Sequence, residues 1–206
     1  MRKPLVALSL LVIALAVYFV VFKKEKKGEK PPKQQPVAVS KYSDAFNSSV
    51  NNTLNVYYAL SESFVNWDSA AVTTNGAALQ ELVGAIAFDE IKKDTVIYQT
   101  ATSYLEGFES DLSIINSASD ITTKRRSFNS FSQSFYDLLR TIRFDGSTVF
   151  LQECPMAFND TEAATWLSNT SGIRNPYLGV HHPHYKSGML ECGETKDSLR
   201  LTAQTD

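Results

Sequence analysis

Between Tyr42 and Arg143 the apolar residues return at steps of three and four in four successive blocks, the spacing of one stripe along an α-helix. The first block carries Phe46, Val50, Leu54, Tyr57, Leu60 and Phe64. Asp68, just after Trp67, is a natural N-cap for a second, alanine-rich helix whose expected core face is Ala71, Ala78, Leu82, Val83 and Ile86, with Gly76 and Gly84 weakening it. A third stripe runs Ile97, Ala101, Tyr104, Leu105, Phe108, Leu112, Ile115. A fourth, beginning near Asp120, runs Ile121, Phe128, Phe131, Phe135, Leu138, Leu139, Ile142. Four amphipathic helices on short links predict an antiparallel bundle.

The pattern changes at Asp145-Gly146, a turn dipeptide. Thr148–Glu153 is rich in β-branched and aromatic residues and reads as a strand leading into Cys154, with Ala164–Ser168 returning as its partner. Beyond it, Gly172, Asn175-Pro176, Gly179, Pro183 and Gly188 exclude long regular structure. The expected fold is therefore mainly α: a four-helix antiparallel bundle over 41–144, then a small β-hairpin and loop module over 145–200.

The N-terminal 40 residues differ from the rest. Pro4–Phe22 is a 19-residue run whose only polar members are Ser9 and Tyr18. As a helix it spans roughly 28 Å, enough to cross the hydrocarbon of a bilayer. It ends in Tyr18-Phe19-Val20-Val21-Phe22 without a small-x-small cleavage site, so residues 1–22 predict an uncleaved anchor in the inner membrane. Residues 23–40, rich in Lys with Pro31, Pro32 and Pro36, have the composition of a disordered tether. Five lysines follow the run against Arg2 and Lys3 before it, and counted alone these flanks favour a cytoplasmic body over a periplasmic one. The net charge of −2 provides no basic footprint, which excludes nucleic acid as a partner.

Chemistry concentrates at the C-terminal end. The only two cysteines and two of the three methionines form two short strings, Cys154-Pro155-Met156 and Met189-Leu190-Glu191-Cys192, and all three histidines, His181, His182 and His184, lie just before the second. Thiolates with thioethers suit Cu(I), two thiolates with two imidazoles suit zinc, and two cysteines alone suit a disulfide that takes no metal. Such a bridge would close a 39-residue loop and contribute about 3–4 kcal/mol in the chain-entropy account. The spacings Cys-x-Met and Met-x-x-Cys are not those of a structural zinc site, so composition leaves the choice open. Trp166 offers a ring face to a cation or simple hairpin packing. Asn175-Pro176-Tyr177 predicts a turn with a packing aromatic, and Lys124, Arg125 and Arg126 predict a solvated basic face. No Ser-His-Asp set, phosphate-cradling glycine loop or spaced carboxylate pair is present, so no enzyme is expected.

The string Cys154-Pro155-Met156-Ala157, Trp166-Leu167-Ser168, Asn175-Pro176-Tyr177-Leu178-Gly179 and Met189-Leu190-Glu191-Cys192-Gly193 resembles a bacterial domain family of unknown function. That family is found on exported, anchored proteins and on periplasmic adaptors of heavy-metal efflux pumps. The resemblance covers roughly residues 45–195 and rests on 154–193. It implies that Cys154, Met156, Met189 and Cys192 share one site for copper or a similar ion, in a periplasmic body that sequesters metal or delivers it to an efflux complex. The alternative is a metal-free helical scaffold stapled by a Cys154–Cys192 disulfide. The chain departs from the family at 180–188, an insertion that carries the histidines.

Overall fold

The computed structural model describes Tyr18 and residues 40–200. The expected anchor and tether fall outside the described residues, save Tyr18 and Ser40, and among the described residues no helix is long and apolar enough to cross a membrane. The four helices are α1 Asp44–Val65, α2 Ser69–Gly84, α3 Thr95–Ser117 and α4 Ile121–Thr141, with a 3₁₀ helix Phe88–Lys93 between α2 and α3. A three-stranded antiparallel sheet follows, β1 Val149–Phe158, β2 Glu162–Ser168 and β3 Glu194–Leu199, in the order β2-β1-β3.

Each helix starts where a short polar side chain takes up an orphan amide. Ser43 accepts from Phe46 N–H, Asp68 from Ala71, Asp94 from Ile97 and Asp120 from Thr123, each cap contributing on the order of 1 kcal/mol. Helices α1 and α4 stop in the same way. At the end of α1, Asp68 N–H bonds back to Ser63 O and Trp67 N–H to Phe64 O. At the end of α4, Phe144 pairs with Leu139 and Arg143 with Arg140. The residue that reverses the chain stands at positive φ in both, Trp67 at 57° and Arg143 at 52°. Glycine is usual at that position, so each side chain must be held by something else.

The expected stripes of α1, α3 and α4 are the ones that bury. Their aromatic rings form the centre of the bundle, Phe64 against Phe128 and Phe108 against Phe131 at 4.9 Å between centroids, with Phe135 5.4 Å from Phe131. On α2 the buried face is Val72, Gly76, Leu79 and Val83, continued by Ile86 beyond the helix, rather than the face built on Ala71, Ala78 and Leu82. The correction turns on Gly76. A Cβ there would lie 2.3 Å from Asn116 Oδ1 and 3.0 Å from Ile115 Cγ2, so this glycine marks a close approach of α2 to α3.

The sheet meets the bundle through the outer edge of β2. Thr165 N–H donates to Asn129 Oδ1 (2.8 Å) and Leu167 N–H to the Tyr57 hydroxyl (3.0 Å), so ladder donors that an edge strand leaves open are taken by helix side chains. Ser132 spends its single hydroxyl hydrogen on Phe128 O, so Tyr57 donates to Ser132 Oγ at 2.6 Å while accepting from Leu167. Strand β3 was not among the expected elements. Glu194-Thr195-Lys196-Asp197 has no apolar alternation, because β3 is an exposed edge that buries almost nothing.

Candidate functional site

Strand β1 runs two residues of extra chain past β2: its register goes from Cys154↔Ala164 directly to Phe158↔Glu162, leaving Pro155, Met156 and Ala157 in a bulge. Its pairing with β3 ends at Glu153↔Glu194. Proline cannot donate to a ladder. Pro155 is tolerated in the central strand because both ladders lapse there, and its neighbour Cys154 is left fully buried at the last regular pair.

The second sulfur string is set by Asn175, itself 0% exposed. Its backbone N–H donates to Leu190 O (2.9 Å) and its amide nitrogen to Cys192 O (2.9 Å), while its amide oxygen accepts from Tyr177 and Leu178 N–H at 2.8 and 3.1 Å. One side chain thus ties the turn that follows it to the segment 15–17 residues downstream. Gly193, at φ 137°, then passes over β1: a Cβ there would be 2.6 Å from Glu153 O and 2.9 Å from the Trp166 ring. Only glycine combines that φ with that approach.

These constraints bring Cys192 onto Cys154. The two are free, neighbouring thiols; burial, and then the Cys154 thiol, push the Cys192 thiol up to about 12. Cys192 lines an open cleft of about 340 Å³ together with Glu153, Pro155, Gly193 and Glu194, while Cys154 is sealed from solvent. Lys196 is shared between the two carboxylates of that cleft, 3.5 Å from Glu153 and 3.0 Å from Glu194.

Met156 and Met189 are half-buried and pack against the core. The histidines sit elsewhere, on the 180–188 turn, and none lines the thiol cleft. His182 Nδ1 accepts from the backbone N–H of His184 and Tyr185 (3.3 and 3.2 Å), and its ring stacks on Tyr185 and meets Trp67 edge-on. Burial, and then the Arg125 charge, lower its pKa. His184 stands edge-on to Tyr185, and His181 is exposed. Among the described residues no three His, Cys, Asp or Glu side chains converge as a metal-holding group.

Of the three residues expected on a solvated basic face, two are buried. Lys124 is 4% exposed and Arg125 3%; Lys124 Nζ donates to Ile115 O and Thr73 Oγ1. Arg125 donates from Nε to Pro176 O and from a terminal nitrogen to Phe64 O, both at 2.9 Å, and lies 3.9 Å over the Trp67 ring. Burial pulls its pKa down to about 10. Trp67 in turn donates to Leu178 O (2.9 Å), and Gly179, at φ 60°, lies so close to Val65 O that a Cβ would be 2.3 Å away. The signal was present: Arg125 is in phase with Phe128, Ser132, Phe135 and Leu139, so the stripe itself puts it inside. Only Arg126 behaves as a surface residue, in a bidentate pair with Glu162. Trp166 is hairpin packing, 1% exposed and edge-on to Tyr177, whose hydroxyl donates to Thr165 O.

A family model described as "Protein of unknown function (DUF3347)" matches residues 53–145. The match begins inside α1 and ends before β1, so it describes the bundle and leaves the sulfur-bearing string 154–193 outside it. No curated protein and no solved structure matches the chain.

Proposed function

We propose that this protein is a membrane-anchored, periplasmic binder of a soft metal ion, Cu(I) foremost, which it sequesters or hands on to an efflux system. The observation that carries the reading is the meeting of Cys154 and Cys192, unbonded to each other, beside a cleft open to solvent. Two thiolates alone satisfy a monovalent soft ion in low coordination, whereas zinc calls for four ligands. The half-buried thioethers of Met156 and Met189 are the nearby soft donors in sequence, and the histidines are left to shape the 180–188 turn. The apolar run 4–22 supports placement at the membrane, and the resemblance of 154–193 to domains of efflux adaptors supports the periplasmic side.

Uptake proceeds by displacement of protons: two thiols and Cu(I) give a bis-thiolate complex and two H⁺. Because the Cys192 thiol holds its proton well above neutral pH, affinity rises with pH, by about 10-fold per unit between about pH 6 and 8 from this proton alone. The test is competition for Cu(I) between the reduced full-length chain and a colorimetric chelator. One equivalent bound, lost in Cys154→Ser and in Cys192→Ser, is expected. A chain that takes no copper, or a Cys154→Ser variant that binds as well as the parent, ends the proposal.

A further inference from the structure

We infer that Cys154 and Cys192 also form a reversible two-electron couple, entered by a low-molecular-weight disulfide at Cys192 and closed by Cys154, and that oxidation takes the soft-ion site out of use. The second clause rests on the metal-binding reading above; the first does not. Access divides the labour between the two sulfurs. Cys192 lines the open cleft and is part-exposed, so a small disulfide can reach it; Cys154 is 0% exposed and is reachable only by Cys192 itself. The segments that carry them lie side by side, Gly193 against Glu153 O and Glu194 paired with Glu153, and each thiol is held from outside the pair, Cys154 by the β1–β2 ladder and Cys192 by Asn175.

The exchange balances with glutathione disulfide as the oxidant. The Cys192 sulfur attacks one glutathione sulfur, the S–S bond breaks, and one glutathione leaves carrying the proton from Cys192. The Cys154 sulfur then attacks Cys192 Sγ, the mixed disulfide breaks, and the second glutathione leaves with the Cys154 proton. Two electrons pass from the cysteine pair to the oxidant, and two thiols become one disulfide. The first step is made by the thiolate form of Cys192. An oxidised pair offers no thiolate to a metal.

The experiment equilibrates the full-length chain in glutathione buffers of increasing oxidised fraction, traps it with acid and an alkylating agent, and reads intact mass and linked peptides. Expected is a species two hydrogens lighter with Cys154 and Cys192 joined, returned to the dithiol by dithiothreitol. Cys154→Ser should accumulate glutathione on Cys192, and Cys192→Ser should remain unmodified, with Cys192→Ala serving if the serine form does not fold. Two free cysteines at every ratio would overturn the couple, as would glutathione that stays on Cys192 of the parent chain without passing to Cys154. Cu(I) competition on the same samples reads the second clause: an oxidised chain that still takes copper overturns it. If the reduced chain takes none while the linkage forms, the metal reading falls and the couple stands.

Discussion

The bundle and the C-terminal module are held together by different physics. In the bundle, many apolar side chains share the work: interlocked aromatic rings from α1, α3 and α4 fill the interior, and the four caps close the helix ends. In the module a few directed polar contacts do it, with Asn175, Arg125 and Tyr177 each buried and each bonded to backbone of a distant segment. A packed core loses stability gradually as atoms are removed. A polar clamp is closer to all-or-none, because deleting one partner leaves the other buried and unpaired.

That contrast can be broken at its strongest point with Phe131→Ala. This removes a fully buried ring from the middle of the aromatic cluster and should cost about 3–5 kcal/mol in denaturant unfolding of the whole chain. Arg125→Ala should cost about 2–4 kcal/mol, since Phe64 O and Pro176 O lose their donor and Trp67 its cation. Its signature is regional: limited proteolysis should cut the 169–193 loop while α1–α4 remain protected, and simultaneous loss of both regions would erase the distinction. Asn175→Ala should cost about 2–3 kcal/mol and make Cys192 alkylate faster, because Cys192 O and the Tyr177 and Leu178 amides lose their partner together. At the small end, Glu62→Gln weakens a bidentate pair with Arg174 whose side chains are about half exposed, and should change unfolding by less than about 1 kcal/mol.

The same contrast explains what could be read from the chain alone. Periodicity reports burial that repeats, so three of the four helical faces, the N-cap at Asp68 and the start of α4 near Asp120 were legible, while the Asp94 cap of α3 was not; α2 was displaced because Gly76 was weighed as a weakness when it marks a close helix contact. In the module, the β1–β2 hairpin and the packing role of Trp166 were legible from residue type. Strand β3 was not, because an exposed edge leaves no apolar trace. The approach of Cys192 to Cys154 depends on Asn175 and on the φ of Gly193, neither of which has a periodic signature. Arg125 was missed for the opposite reason: charge was allowed to outvote phase.

The way β2 abuts the helices gives the sheet a polarity in what can join it. Its β2 side is closed, the amides of Thr165 and Leu167 being engaged by Asn129 and Tyr57. Its β3 side carries Glu194, Lys196 and Asp197, charges of the sort that discourage a second chain from adding a strand. Copies of the chain meeting flank to flank would thus find no seam along the sheet at which to polymerise.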